Sequence, residues 1–118
     1  MADTNSREMA KIAWHALEDK KAEDINAISI EKVSVLADYF LIASGNSRAQ
    51  VQALAQNVEE KLGRAGYEPK QTEGYQSANW ILMDYGDIIV HIFDRQNRLF
   101  YDLERIWRDG EDISLEDL

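Results

Sequence analysis

The chain has 118 residues and a formal net charge of −9, from 13 Lys and Arg against 22 Asp and Glu. That length holds one domain that buries roughly two-thirds of its unfolded surface, and 45% hydrophobic with 30% charged residues is a globular balance, not a disordered one. The acidic excess argues against a broad grip on nucleic acid or an anionic membrane and favours a basic partner, while the absence of cysteine excludes disulfides, thiol nucleophiles, iron–sulfur clusters and cysteine-based zinc sites.

No apolar stretch opens the chain, and the longest wholly apolar runs are about five residues, such as Tyr39 to Ala43, so neither a signal peptide nor a membrane span is expected. Residues 5–21 read as an amphipathic helix. Met9, Ile12, Ala13, Ala16 and Leu17 recur at helical spacing, and Asn5 with Glu8 forms an N-capping pattern. Trp14 falls beside that stripe and reads as a boundary residue. Residues 25–30 alternate apolar and polar side chains, as an edge strand does. Residues 38–44 are almost continuously apolar, the pattern of a strand buried on both faces.

A second helix is predicted over residues 48–64, with Val51, Leu54, Ala55, Val58 and Leu62 as its buried stripe and Gly66 as its stop. A short strand surrounds residues 69–72. Residues 80–84 and 87–93 then read as a hairpin about Tyr85-Gly86, with Trp80, Leu82 and Asp84 on one face of its first strand. On the second strand Ile88, Val90 and Ile92 share one face, and Asp87, Ile89, His91 and Phe93 the other. A last helix is predicted over residues 96–108, carrying Leu99, Phe100, Leu103, Ile106 and Trp107 inward. The fold class is therefore α/β: a single domain with a mixed β-sheet flanked by helices, the mixture implied by one long crossover and one tight turn. Residues 1–108 form the domain. Residues 109–118 carry five acids and no cation and are expected to form a flexible acidic tail.

Three constellations could carry chemistry. Ser44-Gly45-Asn46-Ser47 joins a buried strand to a helix, where backbone N–H groups can hold an anion, but it lacks the lysine and second glycine of a phosphate loop. Ser47 with Gln50 is also a capping box, the simpler account. Asp84, Asp87 and Asp94 with His91 could hold a divalent ion or relay a proton. Yet aspartates flanking a turn are common for local hydrogen bonds, and His91 lies about 13 Å along the strand from Asp87. No Gly-x-Ser-x-Gly elbow occurs, so nucleophilic catalysis has no machinery to read. The last third is richer in interface chemistry: Trp80, Tyr85, Tyr101 and Trp107 with Arg98, Arg105 and Arg108. From the residues alone, the chain is an acidic, cysteine-free interaction module.

Several strings go further. Glu73-Gly74, then Trp80 to Phe93 with its Trp-x3-Asp-x-Gly-Asp-x3-His pattern, then Arg98-Leu99-Phe100-Tyr101-Asp102-Leu103-Glu104-Arg105-Ile106-Trp107 closely resemble the ribosomal silencing factor family, also called Iojap-like or RsfS. Leu17 to Ile25 and Leu36 to Ser47 agree with it, so the resemblance covers about residues 9–108. Asn46 stands where the family often has Thr. The resemblance implies a translation repressor, not an enzyme, with no cofactor and no metal. It implies a cytoplasmic protein that binds the fourteenth protein of the large ribosomal subunit at the subunit-joining face and blocks joining when nutrients are scarce. Large-subunit biogenesis and self-association as a homodimer are further implications. The implied fold resembles that of nucleotidyltransferases without their Asp-x-Asp metal pair, which does not follow Ser47 here. The positions carried over as partner-binding are Trp80, Asp84, Tyr85, Asp87, His91, Arg98, Tyr101 and Glu104, with Trp80 foremost. At Tyr85 relatives can carry an aliphatic residue. The competing readings are a metal-dependent nucleotide-binding enzyme built on Asp84, Asp87 and His91, and a module whose aromatic face serves its own self-association.

Overall fold

The structure, a computed structural model, describes residues 4–30, 37–95 and 111–113. Helix α1 spans Thr4–Asp19 and strand β1 Glu23–Ser29. Strand β2 spans Tyr39–Gly45 and helix α2 Arg48–Arg64. Strands β3 (Gln71–Glu73), β4 (Trp80–Asp84), β5 (Ile88–Asp94) and β6 (Glu111–Ile113) complete the sheet. The order across it is β3-β4-β5-β2-β1-β6, with β2 and β5 parallel and every other neighbouring pair antiparallel. This is the mixed α/β sheet that the chain pattern predicts. The predicted helix over residues 96–108 lies outside the described residues.

Both helices end in the same device. At α1, Lys21 N–H donates to Glu18 O and Ala22 N–H to Leu17 O, the paired bonds of a Schellman closure. The left-handed position is filled by Lys21 itself, at φ 62°, where a Cβ is unfavourable. At α2 the equivalent bonds run from Gly66 to Gly63 and from Tyr67 to Leu62, so the stop predicted at Gly66 is where the helix ends. Helix α1 begins at Thr4, which puts Asn5 inside the first turn and not at the cap.

The sheet alternation sorts the core into two sides. Tyr39, Leu41, Ala43, Ile81, Met83, Tyr85, Ile88, Val90 and Ile92 face the helices and pack with Met9, Ala13 and Leu17 of α1 and Val51, Leu54, Val58 and Leu62 of α2. Trp14 packs at the margin of that cluster. The opposite side of the sheet carries Ile28, Ile30, Ala37, Phe40, Ile42 and Phe93, with Trp80 and Ile89 against them. All seven residues of β2 are buried, as a strand covered on both faces must be. The two helices are tied by Asn57, buried in α2, whose Nδ2 donates to Ala16 O at 2.7 Å.

Two local expectations shift. The loop of the β4–β5 hairpin is Gly86-Asp87 and not Tyr85-Gly86: Tyr85 N–H bonds Ile88 O at 3.0 Å, and Asp84 faces Ile89 across the ladder. Gly86 takes φ 87° at the first loop position, the requirement of a type II′ turn. Strand β1 is not the edge. Residues 111–113, read from sequence as part of a tail, pair antiparallel with Ala27, Ile28 and Ser29. Three residues with two acids carry no strand pattern of their own; only the open edge of β1 recruits them.

Candidate docking surface around Trp80 and His91

The side of the sheet away from the helices holds an aromatic cluster built by cross-strand pairing. Trp80 on β4 lies opposite Phe93 on β5, and Leu82 opposite His91. The Trp80 and Phe93 rings stack with centroids 5.2 Å apart. Phe40, from the neighbouring β2, meets the His91 ring edge-on at 4.8 Å. Phe93 and His91 are buried, whereas Trp80 remains partly exposed, so its indole is the accessible end of a rigid stack.

Trp80 Nε1–H donates to His91 Nδ1 at 3.0 Å. An indole nitrogen can only donate, so Nδ1 holds a lone pair and the imidazole proton sits on Nε2. Burial pushes the His91 pKa down to about 4, which keeps the ring neutral at physiological pH. His91 Nε2 is buried and has no hydrogen-bond partner among the described residues. A neutral histidine fixed by a tryptophan and walled by two phenylalanines is a packing and hydrogen-bonding element. Its low pKa makes it a poor proton shuttle near neutrality.

The neighbouring acids serve the turn. Asp84 Oδ1 accepts from Gly86 N–H at 2.8 Å, the local bond expected of a turn aspartate. Asp87 is exposed, and its carbonyl accepts from Asp38 N–H at 2.8 Å, which fastens the hairpin loop to the start of β2. Among the described residues, no group of three or more His, Asp or Glu side chains converges as metal ligands would. Asp84, Asp87, Asp94 and His91 therefore do not come together as one polar centre.

Tyr85 separates from the rest of the predicted contact set. Strand alternation turns it to the helix side, where it is 5% exposed, while Trp80 and Asp84 point the other way. Burial raises its hydroxyl pKa, with Glu59 and then Glu68 adding to the shift. Arg98, Tyr101 and Glu104, like Arg105, Trp107 and Arg108, lie outside the described residues.

The corner after β2 is occupied by its own side chains. Ser47 caps α2 by accepting from Gln50 N–H at 3.1 Å. Gln50 Oε1 accepts from Asn46 N–H, while its Nε2 reaches the Lys20 and Lys21 carbonyls. A Cβ at Gly45 would stand 2.9 Å from Val51 Cγ2, so β2 and α2 are already in contact there. The capping account of this corner is the one the geometry supports.

Sequence reasoning missed how the segment before Trp80 is held. Arg48, Gln52 and Gln56 form one row on α2, four residues apart. They donate to Gln76 O, Tyr75 O and Tyr75 Oη in turn. Ala78, buried and at φ 57°, plugs into the helix-side core just upstream of Trp80. The signal was legible as a polar i, i+4, i+8 row flanking the apolar stripe, but nothing local says what such a row grasps.

The sequence model for the family described as ribosomal silencing factor during starvation, RsfS, matches residues 3–118. The chain belongs to the ribosomal silencing factor family. The match continues past residue 108, so the segment that carried no recognisable family pattern is part of the family's extent. The RsfS protein of Bacillus subtilis is 45% identical over 106 residues, 90% of each chain. That of Halalkalibacterium halodurans is 41% identical over 112 residues, covering 95% of this chain and 96% of the relative. A crystal structure of a Chromobacterium violaceum protein superposes with a TM-score of 0.84 at 39% identity, over 91% of this chain and 88% of that one. The RsfS assignment agrees with the regulatory character inferred from the sequence. No helix among the described residues is long and apolar enough to cross a membrane.

Proposed function

We propose that this RsfS-family chain represses translation by docking on the large ribosomal subunit, through its fourteenth protein, and blocking the approach of the small subunit. It acts in the cytoplasm as an obstruction, without catalysis or cofactor, with subunit biogenesis as a second role and self-association in the free state. The observation that carries this reading is family membership across residues 3–118. The chain's −9 charge supports a basic protein partner over bare RNA, since complementary charge steers encounter and selects orientation. Trp80 supports a docking role as well: it is partly exposed, and its ring is held by Phe93 and His91, so little side-chain freedom is lost on binding. The proposed contact set is Trp80, Asp84, Asp87, Arg98, Tyr101 and Glu104, with the buried His91 acting through the Trp80 ring that it holds. Tyr85, on the far side of the sheet, acts at most indirectly. An interface of about 800 Å² per partner would suffice.

Sedimentation of ribosomes tests the proposal. The protein should travel with free large subunits and be absent from joined ribosomes, and Trp80→Ala should remove it from the subunit fraction while the protein stays folded. Co-migration with joined ribosomes would overturn the obstruction mechanism, and undiminished binding of Trp80→Ala would remove Trp80 from the interface.

A further inference from the structure

The surface around Trp80 meets the helix layer at the connection between β3 and β4, residues 74–79. This segment closes on itself. Ala78 N–H donates to Gly74 O at 2.9 Å, Ser77 Oγ donates to the same carbonyl at 3.3 Å, and a Cβ on Gly74 would stand 2.1 Å from the Trp80 carbonyl oxygen. The start of the segment therefore touches the residue that follows its end, and the shape of the segment is passed directly to the first residue of β4.

That shape is an unfavourable one. In an extended chain residues 78 and 80 would share a face, since side chains alternate. Here Ala78 is buried in the core on the helix side, whereas Trp80 packs against the cluster on the other side of the sheet. The inversion is made at Ala78 itself, which takes φ 57°, a left-handed conformation in which Cβ crowds the carbonyl. Such a conformation persists only where the surroundings over-determine it. From the β5 side, Asp94 N–H donates to Asn79 O at 3.2 Å. From α2, Arg48 donates to the Gln76 carbonyl, Gln52 to the Tyr75 carbonyl at 2.9 Å, and Gln56 to the Tyr75 hydroxyl. Three successive turns of one helix thus each supply a bond to the segment.

We propose that Arg48, Gln52 and Gln56 are positioning residues for docking: from the helix layer they hold residues 74–79 in the conformation that turns Trp80 onto the opposite face of the sheet. The inference rests on the docking role given to Trp80. An anchor already fixed before contact loses little freedom on binding. Stacking on Phe93 and the bond to His91 fix the indole ring, and the row on α2 fixes the backbone that leads into it.

The row contains its own control. Gln52 donates to a backbone carbonyl, which can only accept, so Gln52→Glu deletes the bond and sets oxygen against oxygen. Gln56 donates to a tyrosine hydroxyl, which can turn and donate to a carboxylate, so Gln56→Glu keeps a bond. Both variants add the same charge, one turn apart on one helix. Sedimentation with purified large subunits should show binding about tenfold weaker in Gln52→Glu and less than about twofold weaker in Gln56→Glu. Arg48→Ala should weaken it about fivefold, and Arg48→Lys, which keeps a donor, should restore most of the loss. Hydrogen exchange of the Trp80 indole N–H, followed by NMR on the free protein, should be about tenfold faster in Gln52→Glu while the amides of β2 keep their protection. Faster exchange throughout the chain would overturn the proposal, since the row would then serve only global stability. Equal losses in Gln52→Glu and Gln56→Glu would overturn it too, because they would report charge alone. Failure of the wild-type chain to bind subunits would overturn the docking reading beneath it, whereas wild-type binding with an unaffected Gln52→Glu variant would overturn the role of the row alone.

Discussion

The protonation of His91 makes stability depend on pH in a window set by one residue. The folded chain holds the imidazole neutral, with a pKa lowered to about 4 by burial, whereas the unfolded chain exposes it at the ordinary value of about 6.5. Below 6.5 the unfolded state therefore binds a proton that the folded state refuses. The His91 contribution is fully present above pH 6.5 and is lost as pH falls toward 4. Linkage with those two values gives a loss of about 1.3 kcal/mol between pH 7.5 and 5.5, and about 3 kcal/mol between pH 8 and 4. The perturbation is His91→Leu, which keeps an apolar group beside Phe40 and removes the titration. It also deletes the acceptor for Trp80 Nε1–H, which costs about 1 kcal/mol at every pH. Urea unfolding followed by circular dichroism at pH 7.5, 6.5 and 5.5 separates the two effects, because the hydrogen-bond loss shifts the whole curve and the titration changes its slope. The variant should lose about 1.3 kcal/mol less than the wild type over that interval. Equal slopes in the two proteins would refute the buried neutral histidine.

Gly74 sits at φ 81°, and a Cβ there would stand 2.1 Å from the Trp80 carbonyl oxygen, so Gly74→Ala must move backbone. It should cost at least about 3 kcal/mol in chemical denaturation, and a loss below 1 kcal/mol would contradict the close approach. Asn57→Ala removes the side-chain bond to the Ala16 carbonyl between the two helices and should cost about 1 kcal/mol, read as a lower urea midpoint; an unchanged midpoint would show that the Asn57–Ala16 bond contributes nothing.

Much of the fold was legible because its signals are local. The apolar stripe of α2, the stop at Gly66 and the continuous apolar run of β2 each reflect short-range periodicity, and each element forms where its pattern lies. The same alternation placed Trp80, Leu82 and Asp84 on one strand face. What failed was of another kind. The hairpin loop moved by one residue because its position depends on register against β5. Residues 111–113 became a strand because β1 offers an open edge, a fact about a segment more than eighty residues away. The candidate surface divided for the same reason. Tyr85 is adjacent in sequence to Asp84, yet the pleat sends it through to the helix side.

The sequence by itself determined the acidic charge, the absence of thiol chemistry, the order of most elements and the family resemblance. All of these are carried by residue type and near-neighbour spacing, which survive without a fold. Only the tertiary structure decided that His91 is neutral, that Asp84 and Asp87 serve a turn, and that Tyr85 is buried on the helix side of the sheet. A side chain's protonation and partners depend on which groups exclude water from it, and here those groups arrive from other strands and helices. That information lies in long-range pairing, which no local pattern in the chain encodes.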